Sequence, residues 1–280
     1  MSKYKALAVV TKYWRPNRNF WEEIIKGVNG KIADGDFVVV SEKAILTARN
    51  NFVDENIVRP GLNARLIATF WMHIAWGYFL GPLCHFREKL LQRLREYPSG
   101  MGSRHKQVAL ERAGLLQALM FGSEGGIDGS NLPYSYVSLP MNNADEVAQK
   151  ICTLIWNKLR KKVCVVIVDT DKTYSFMNFH FTPRPKPVKG IHSFGGFVIY
   201  VAGRCLRLKR RATPIAAAGC KMTVEAALEI AEVANHVRGY GAGRTVWDMA
   251  EKFETELAGV SWEMLETVKH KPIVIVRSKR

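Results

Sequence analysis

Apolar positions recur along the chain with strand-like and helix-like spacing in turn. "KALAVVT" (residues 5–11) predicts a first strand, and the apolar positions of "FWEEIIKGV" (20–28) have helical spacing. "DGDFVVVSEKAIL" (34–46) reads as an Asp-Gly turn leading into a buried strand. Residues 62–97 read as mostly helical, stopped near Pro98 and Gly100. "SRHKQVALERAGLLQALMF" (103–121) is helical by pattern, with its second half also compatible with a strand. Asn143 and Glu146 mark a helix start for "ADEVAQKICTLIWNKLRKK", which feeds the apolar strand "VCVVIVDTD" (163–171). "GGFVIYVAG" (195–203) is expected to be another strand. Thr223 caps "TVEAALEIAEVANHV", which ends at the glycine-rich "RGYGAGRT" (238–245). Thr245 and Asp248 start a further helix, and "KPIVIVRS" is a last strand. No G-x-G-x-x-G follows the first strand, so the class is α+β or mixed α/β, and this coarse pattern does not decide between them.

At 280 residues the chain suffices for one large domain or two small ones, with no internal repeat and no low-complexity tract. Its hydrophobic fraction of 48% is ordinary for a soluble globular protein, but its formal charge of +16 is not. Such a field attracts polyanions, whether nucleic acid, nucleotides, phosphorylated coenzymes or acidic lipid. One patch, "RCLRLKRR" (204–211), is dense, and the chain ends in "VRSKR". No aromatic RNA-binding motif accompanies the charge, so nucleic acid remains an alternative partner without a motif.

Cys84, Cys152, Cys164, Cys205 and Cys220 are odd in number and far apart, which argues against a disulfide framework or structural zinc and for a reducing, cytoplasmic setting. The first apolar run is too short for a signal peptide. Residues 66–86 lack any Asp, Glu, Lys or Arg and are long enough to span a bilayer. Two histidines, the Gly81-Pro82 break and the amphipathic "REKLLQRLRE" that follows favour a buried helix or a subunit interface over a membrane span. His73 and His85 are expected to be packed in the core.

Three places carry candidate chemistry. "VVIVDTDKTYSF" sets Asp169, Thr170 and Asp171 at the end of an apolar strand, where hard oxygen ligands suit Mg²⁺, although a solvated turn explains them too. "EGGIDGSN" places Asp128 among glycines whose backbone N–H groups can face an anion, and an ordinary loop is equally compatible. "RGYGAGR" precedes a helix start and can bind phosphate, or its first glycine is only a helix cap.

The order of these pieces resembles the coenzyme F-420:L-glutamate ligase family from the first strand to the last. The family signature of A-G-I-D-x-S-N followed by an apolar strand ending in D-T stands here as Gly126-Ile127-Asp128-Gly129-Ser130-Asn131 and Asp169-Thr170. The resemblance implies an α+β fold with mixed sheets and packed helices, forming an intertwined homodimer. It implies a single domain over residues 1–280, with a divergent helical insertion at about 60–115. Members attach glutamate to a deazaflavin coenzyme precursor, using GTP and divalent metal through an acyl-phosphate. By that resemblance Asp128 and Asp169 hold one Mg²⁺ or Mn²⁺ and Thr170 helps with a second, while Ser41, Asn131 and the loop Gly239, Tyr240, Gly241 and Gly243 contact the nucleotide. Several family positions differ. "TKYWRPN" replaces G-L-P, and Leu46-Thr47 replaces a Ser-Lys pair, with Lys43 nearby. Glu124 replaces an asparagine, "DKTYSF" a basic segment and Tyr240 an acid or amide. Glu124 and Asp171 are the candidate substitute metal ligands. A non-catalytic nucleotide- and metal-binding relative is the alternative to a ligase.

Overall fold

Strands and helices interleave from one end of the chain to the other. In a computed structural model, which describes residues 3–279, the chain opens with β1 (Tyr4–Thr11), α1 (Phe20–Val28), β2 (Phe37–Ser41), α2 (Glu42–Ala48) and β3 (Phe52–Asp54). Helices α3 (Leu62–Leu83), α4 (Glu88–Arg95), α5 (Ser99–Arg112) and α6 (Leu115–Ala118) follow. Then come β4 (Tyr136–Ser138), α7 (Ala144–Leu159), β5 (Cys164–Phe176), β6 (Phe179–Thr182) and β7 (His192–Ser193). The chain closes with α8 (Phe197–Cys205), β8 (Lys209–Ala218), α9 (Val224–Arg238), α10 (Val246–Lys252), α11 (Trp262–Glu266) and β9 (His270–Ser278). Arg280, the last residue of the basic end, lies outside the described residues.

Among the described residues, seven strands form one mixed sheet in the order β1-β9-β2-β5-β6-β7, with β8 also pairing β5. Only β2–β5 and β6–β7 are parallel pairs. The pleat sends alternate residues to opposite faces. Val38, Val40, Val165, Ile167, Ile273 and Ile275 join Ile151 and Ile155 of α7 on one side. Val39, Val166, Val168, Val274 and Val276 meet Ile230 and Ala231 of α9 on the other. Helices therefore cover both faces of the central strands, which explains their nearly continuous apolar sequences. The architecture is α+β with mixed sheets.

Residues 62–121 build a separate helical layer, where Ala68, Met72, Trp76, Leu94, Tyr97 and Phe121 make their own core. The helical run stops before Pro98, with α4 ending at Arg95, and Pro98 then caps a new helix, α5, which starts at Ser99. The second half of the 103–121 pattern is helical.

Three expectations are corrected. "GGFVIYVAG" is helix α8: its apolar run is too short for periodicity to separate strand from helix, and aromatic packing decides. Phe197 packs edge-on against Trp71 of α3, at 5.4 Å between ring centres. Cys164 and Cys220 form a disulfide, because the antiparallel β5–β8 ladder pairs Val165 with Ala218 and brings the flanking cysteines within 5.4 Å at Cα. Cysteine usage therefore gives no argument for a reducing compartment. His85 is exposed, and His73 is half-buried with its Nε2 at hydrogen-bond distance from Tyr97 O.

Candidate functional site

The parallel β2–β5 pair sets the site. Register places Ser41 beside Val168, so β2 and the middle of β5 end together and deliver α2 and Asp169-Thr170-Asp171 to one place. Sheet ends where strands diverge are common ligand sites. A cavity of about 760 Å³ opens there, lined by Ser41, Glu124, Asp128, Asn131, Asp169, Thr170, Asp171 and the loop of Gly239, Tyr240, Gly241 and Gly243. Every candidate metal- or nucleotide-contacting residue named from the sequence thus lines the same cavity.

Their partners refine their roles. The Asp128 backbone carbonyl is pinned to the end of β4, accepting from Ser138 N and Oγ, both at 3.1 Å. Its carboxylate folds over its own loop, with Oδ1 accepting from Ser130 N (2.7 Å) and Oδ2 from Ser130 Oγ (2.9 Å). Lys43 Nζ donates to Asp128 Oδ2, to Ser130 O (2.9 Å) and to Ser130 Oγ (2.8 Å). The lysine absent from the Leu46-Thr47 position is thus supplied one helical turn earlier.

Sequence reading missed Arg184. The basic segment expected directly after Asp169-Thr170 arrives instead beyond the β5–β6 hairpin, as Arg184 in "TPRPKP". Its Nε donates to Asp169 Oδ2 (2.6 Å), Nη2 to Glu42 Oε1 (2.7 Å) and Nη1 to Gly125 O (3.1 Å). One buried guanidinium therefore joins α2, β5 and the Asp128 loop. Gly126 permits this approach: it sits at φ +100°, and a Cβ there would lie 2.6 Å from the Arg184 guanidinium carbon. Burial pushes the Glu42 carboxyl up to about 7 against the pull of Arg184. At Asp169 burial acts upward too, but Arg184 outweighs it and the net shift is downward. Asp171 is pushed well above the carboxylate range by burial and then by neighbouring Asp169. Asp171 Oδ2 and Ser123 Oγ are both buried and face each other without hydrogen-bond geometry.

Glu124 is committed elsewhere. It accepts from Lys106 Nζ and His105 Nε2 of α5, at 2.6 and 2.8 Å, and His105 Nδ1 reaches Glu55 at 2.6 Å. Burial opposes the imidazolium, yet Glu124 and Glu55 raise it to about 10; the same cations lower Glu124 despite its burial. The change from asparagine to Glu124 thus has partners in the helical layer, which the motif alone did not reveal. Asn131 is also occupied: its Nδ2 donates to Gly243 O (3.0 Å) and its Oδ1 accepts from Ala242 N (2.7 Å). It stitches the Asp128 loop to the glycine-rich loop. Gly241, at φ +62°, would place a Cβ 2.4 Å from that Asn131 oxygen. Tyr240 is exposed, with the Arg244 guanidinium 3.9 Å above its ring.

The donor types gathered here are hard oxygens, the kind that Mg²⁺ prefers. Asp128, Asp169 and Asp171 offer carboxylate oxygens, Thr170 a hydroxyl, and Asp171 Oδ2 is a buried oxygen with no hydrogen-bond partner. The described residues contain no ready-formed group of three or more His, Cys, Asp or Glu at metal-holding spacing. A second ion finds no acid in the glycine-rich loop, where Tyr240 stands.

Comparison with known proteins gives the family. Residues 8–247 match the F420-0:Gamma-glutamyl ligase family. An uncharacterized protein of Methanocaldococcus jannaschii is 32% identical over 287 residues, covering 98% of this chain and 97% of its own. The two signature loops, folded onto one cavity, and the match across most of its length place the chain in the F420-0:gamma-glutamyl ligase family.

Proposed function

We propose that the chain is a GTP- and metal-dependent ligase that adds glutamate, or a similar amino acid, to an anionic coenzyme-like acceptor. The observation that carries this reading is the convergence of "GGIDGSN" and "VVIVDT" on one cavity with Ser41 and the glycine-rich loop. Family membership supports the ligase role in general.

In the reaction, an acceptor carboxylate oxygen attacks the γ-phosphorus and the bond to the nucleoside diphosphate breaks. The amino acid's amine then attacks the acyl carbon, inorganic phosphate leaves, and the amine's proton passes to solvent. Asp128, Asp169 and Thr170, with Asp171, hold Mg²⁺ or Mn²⁺, which supplies charge neutralisation on the transferring phosphoryl group. Backbone groups of Gly239–Gly243 and Ser41 bind the nucleotide. Lys43 moves from Asp128 toward phosphate oxygens once that carboxylate is otherwise engaged. Arg184 keeps Asp169 ionised and oriented. Asn131 acts through the loop it holds, so its role is positioning.

Inorganic phosphate released from GTP and Mg²⁺ only when L-glutamate and a deazaflavin precursor are both present is the expected result. Phosphate release independent of the amino acid would contradict ligation. A second reading, a nucleotide-binding relative without turnover, is favoured by one observation: Tyr240 stands where the family's loop acid or amide is expected. Under it, GTP binds but no phosphate is released under any of these conditions.

A further inference from the structure

The surface charge is distributed unevenly. Residues 56–87 and 172–224 contain no Asp or Glu; the first segment carries three Lys and Arg and the second ten, of which Arg184 and Arg211 are buried in ion pairs. The same segments expose large apolar side chains. Phe70, Ile74 and Phe79 project from α3, Met177 and Phe179 form the tip of the β5–β6 hairpin, and Leu206 follows α8. Met177 is 84% exposed and Leu206 67%.

These elements adjoin. Phe197 of α8 packs on Trp71 of α3, and Arg207 Nε donates to His85 Nε2 just beyond the end of α3 (3.2 Å). Phe194, before α8, lies 6.3 Å from Phe181 of β6, which in turn lies 5.6 Å from Phe179 at the hairpin tip. A shallow apolar groove runs between Leu66, Phe70, Phe79 and Leu119. The opposite side of α3, with Ala68, Met72 and Trp76, is fully buried against the protein. A helix covered on one side by a protein core and bare on the other is suited to lie in an interface plane, not to cross it.

We propose that this face docks peripherally on an anionic membrane surface. Aromatic, Leu, Ile and Met side chains enter the boundary between headgroups and acyl chains, while the exposed Arg65, Arg87 and Arg207 meet lipid phosphates. Charge complementarity selects this occupant. A second copy meeting the face about a two-fold axis would set the exposed Arg65, Arg87 and Arg207 against their own copies. A nucleic acid would satisfy the cations but leave Ile74, Leu206 and Met177 without a favourable contact. None of Phe70, Ile74, Met177, Leu206, Arg87 and Arg207 lines the cavity, so the inference stands apart from the ligase reading.

Co-sedimentation of the full chain with vesicles tests it. Vesicles of two parts phosphatidylcholine to one part phosphatidylglycerol should retain the protein, and pure phosphatidylcholine should not. Raised salt should weaken retention. Ile74→Asp combined with Met177→Asp should lower the partition coefficient about tenfold, and Arg87→Gln or Arg207→Gln about fivefold each, with unfolding temperatures unchanged. Both sites are exposed, so folding is preserved. Equal retention on both vesicle types, retention on neither, or retention unaffected by the apolar variants would overturn the proposal. So would a mass measurement in which Ile74→Asp converts a dimer into a monomer, or competition by RNA that persists in the apolar variants.

Discussion

Arg184 is the side chain on which the two acidic motifs most depend. It is buried with Glu42 and Asp169 as partners, and burial alone would disfavour its charge; the two carboxylates reverse that. Arg184→Leu leaves both carboxylates buried without a cation, and should cost about 3–5 kcal/mol, read from the urea midpoint. Arg184→Lys should restore only part, because an ammonium cannot span three acceptors as the fork does. His105 gives a pH-dependent counterpart. Its folded value of about 10 exceeds the ordinary value of about 6.5. The stability it contributes is therefore fully present below about pH 6.5 and lost as pH rises through about 10. The difference in melting temperature between the wild type and His105→Gln should shrink from pH 7 to pH 10.5; a constant difference would show that the imidazolium is not the stabilising species. The carboxylates of the site were legible in the sequence because Asp128 stands among glycines and Asp169 ends an apolar strand. Their cations were not. Lys43 occupies an ordinary amphipathic helix, and Arg184 lies 15 residues beyond Asp169, behind a hairpin whose return cannot be read from local pattern.

Elements were legible wherever periodicity ran long. The α7 and α9 stripes, the buried β5 and the caps at Thr223 and Thr245 all appear as the spacing predicts. The five-residue apolar run of α8 was too short to discriminate, and the Cys164–Cys220 bond depended on a strand pairing between residues 56 apart. At α10, Thr245 Oγ1 accepts from Asp248 N while the Asp248 carboxylate accepts from Thr245 N, both at 3.2 Å. Thr245→Ala should destabilise the protein by about 1 kcal/mol. Because α10 follows the glycine-rich loop directly, the same variant should also speed amide exchange at Ala242. Asn131→Leu should produce a larger local effect, opening the Gly239–Gly243 loop to proteolysis at Arg244 without lowering the global unfolding midpoint by a comparable amount. Equal protease resistance in wild type and variant would mean that the loop is held by other contacts.

At the scale of the whole molecule, a twisted mixed sheet brings the ends of β2 and β5 together, and every other feature of the site hangs on that pairing. The helical layer of residues 62–121 closes one side of the cavity with Tyr97, Met101 and Phe121, and ties Glu124 to α5. The sequence marked this region as the part that departs most from the family pattern, yet its packing against the signature loop was invisible without the fold. The central claim is that Asp128 and Asp169 form one metal-nucleotide site. Calorimetric titration with GTP in the presence of Mn²⁺ tests it most directly, on the wild type and on Asp128→Asn, with thermal unfolding confirming that both are folded. The account predicts saturable binding that needs the metal and weakens about tenfold or more in Asp128→Asn. Binding of equal strength in the folded variant, or no binding in the wild type, would contradict it.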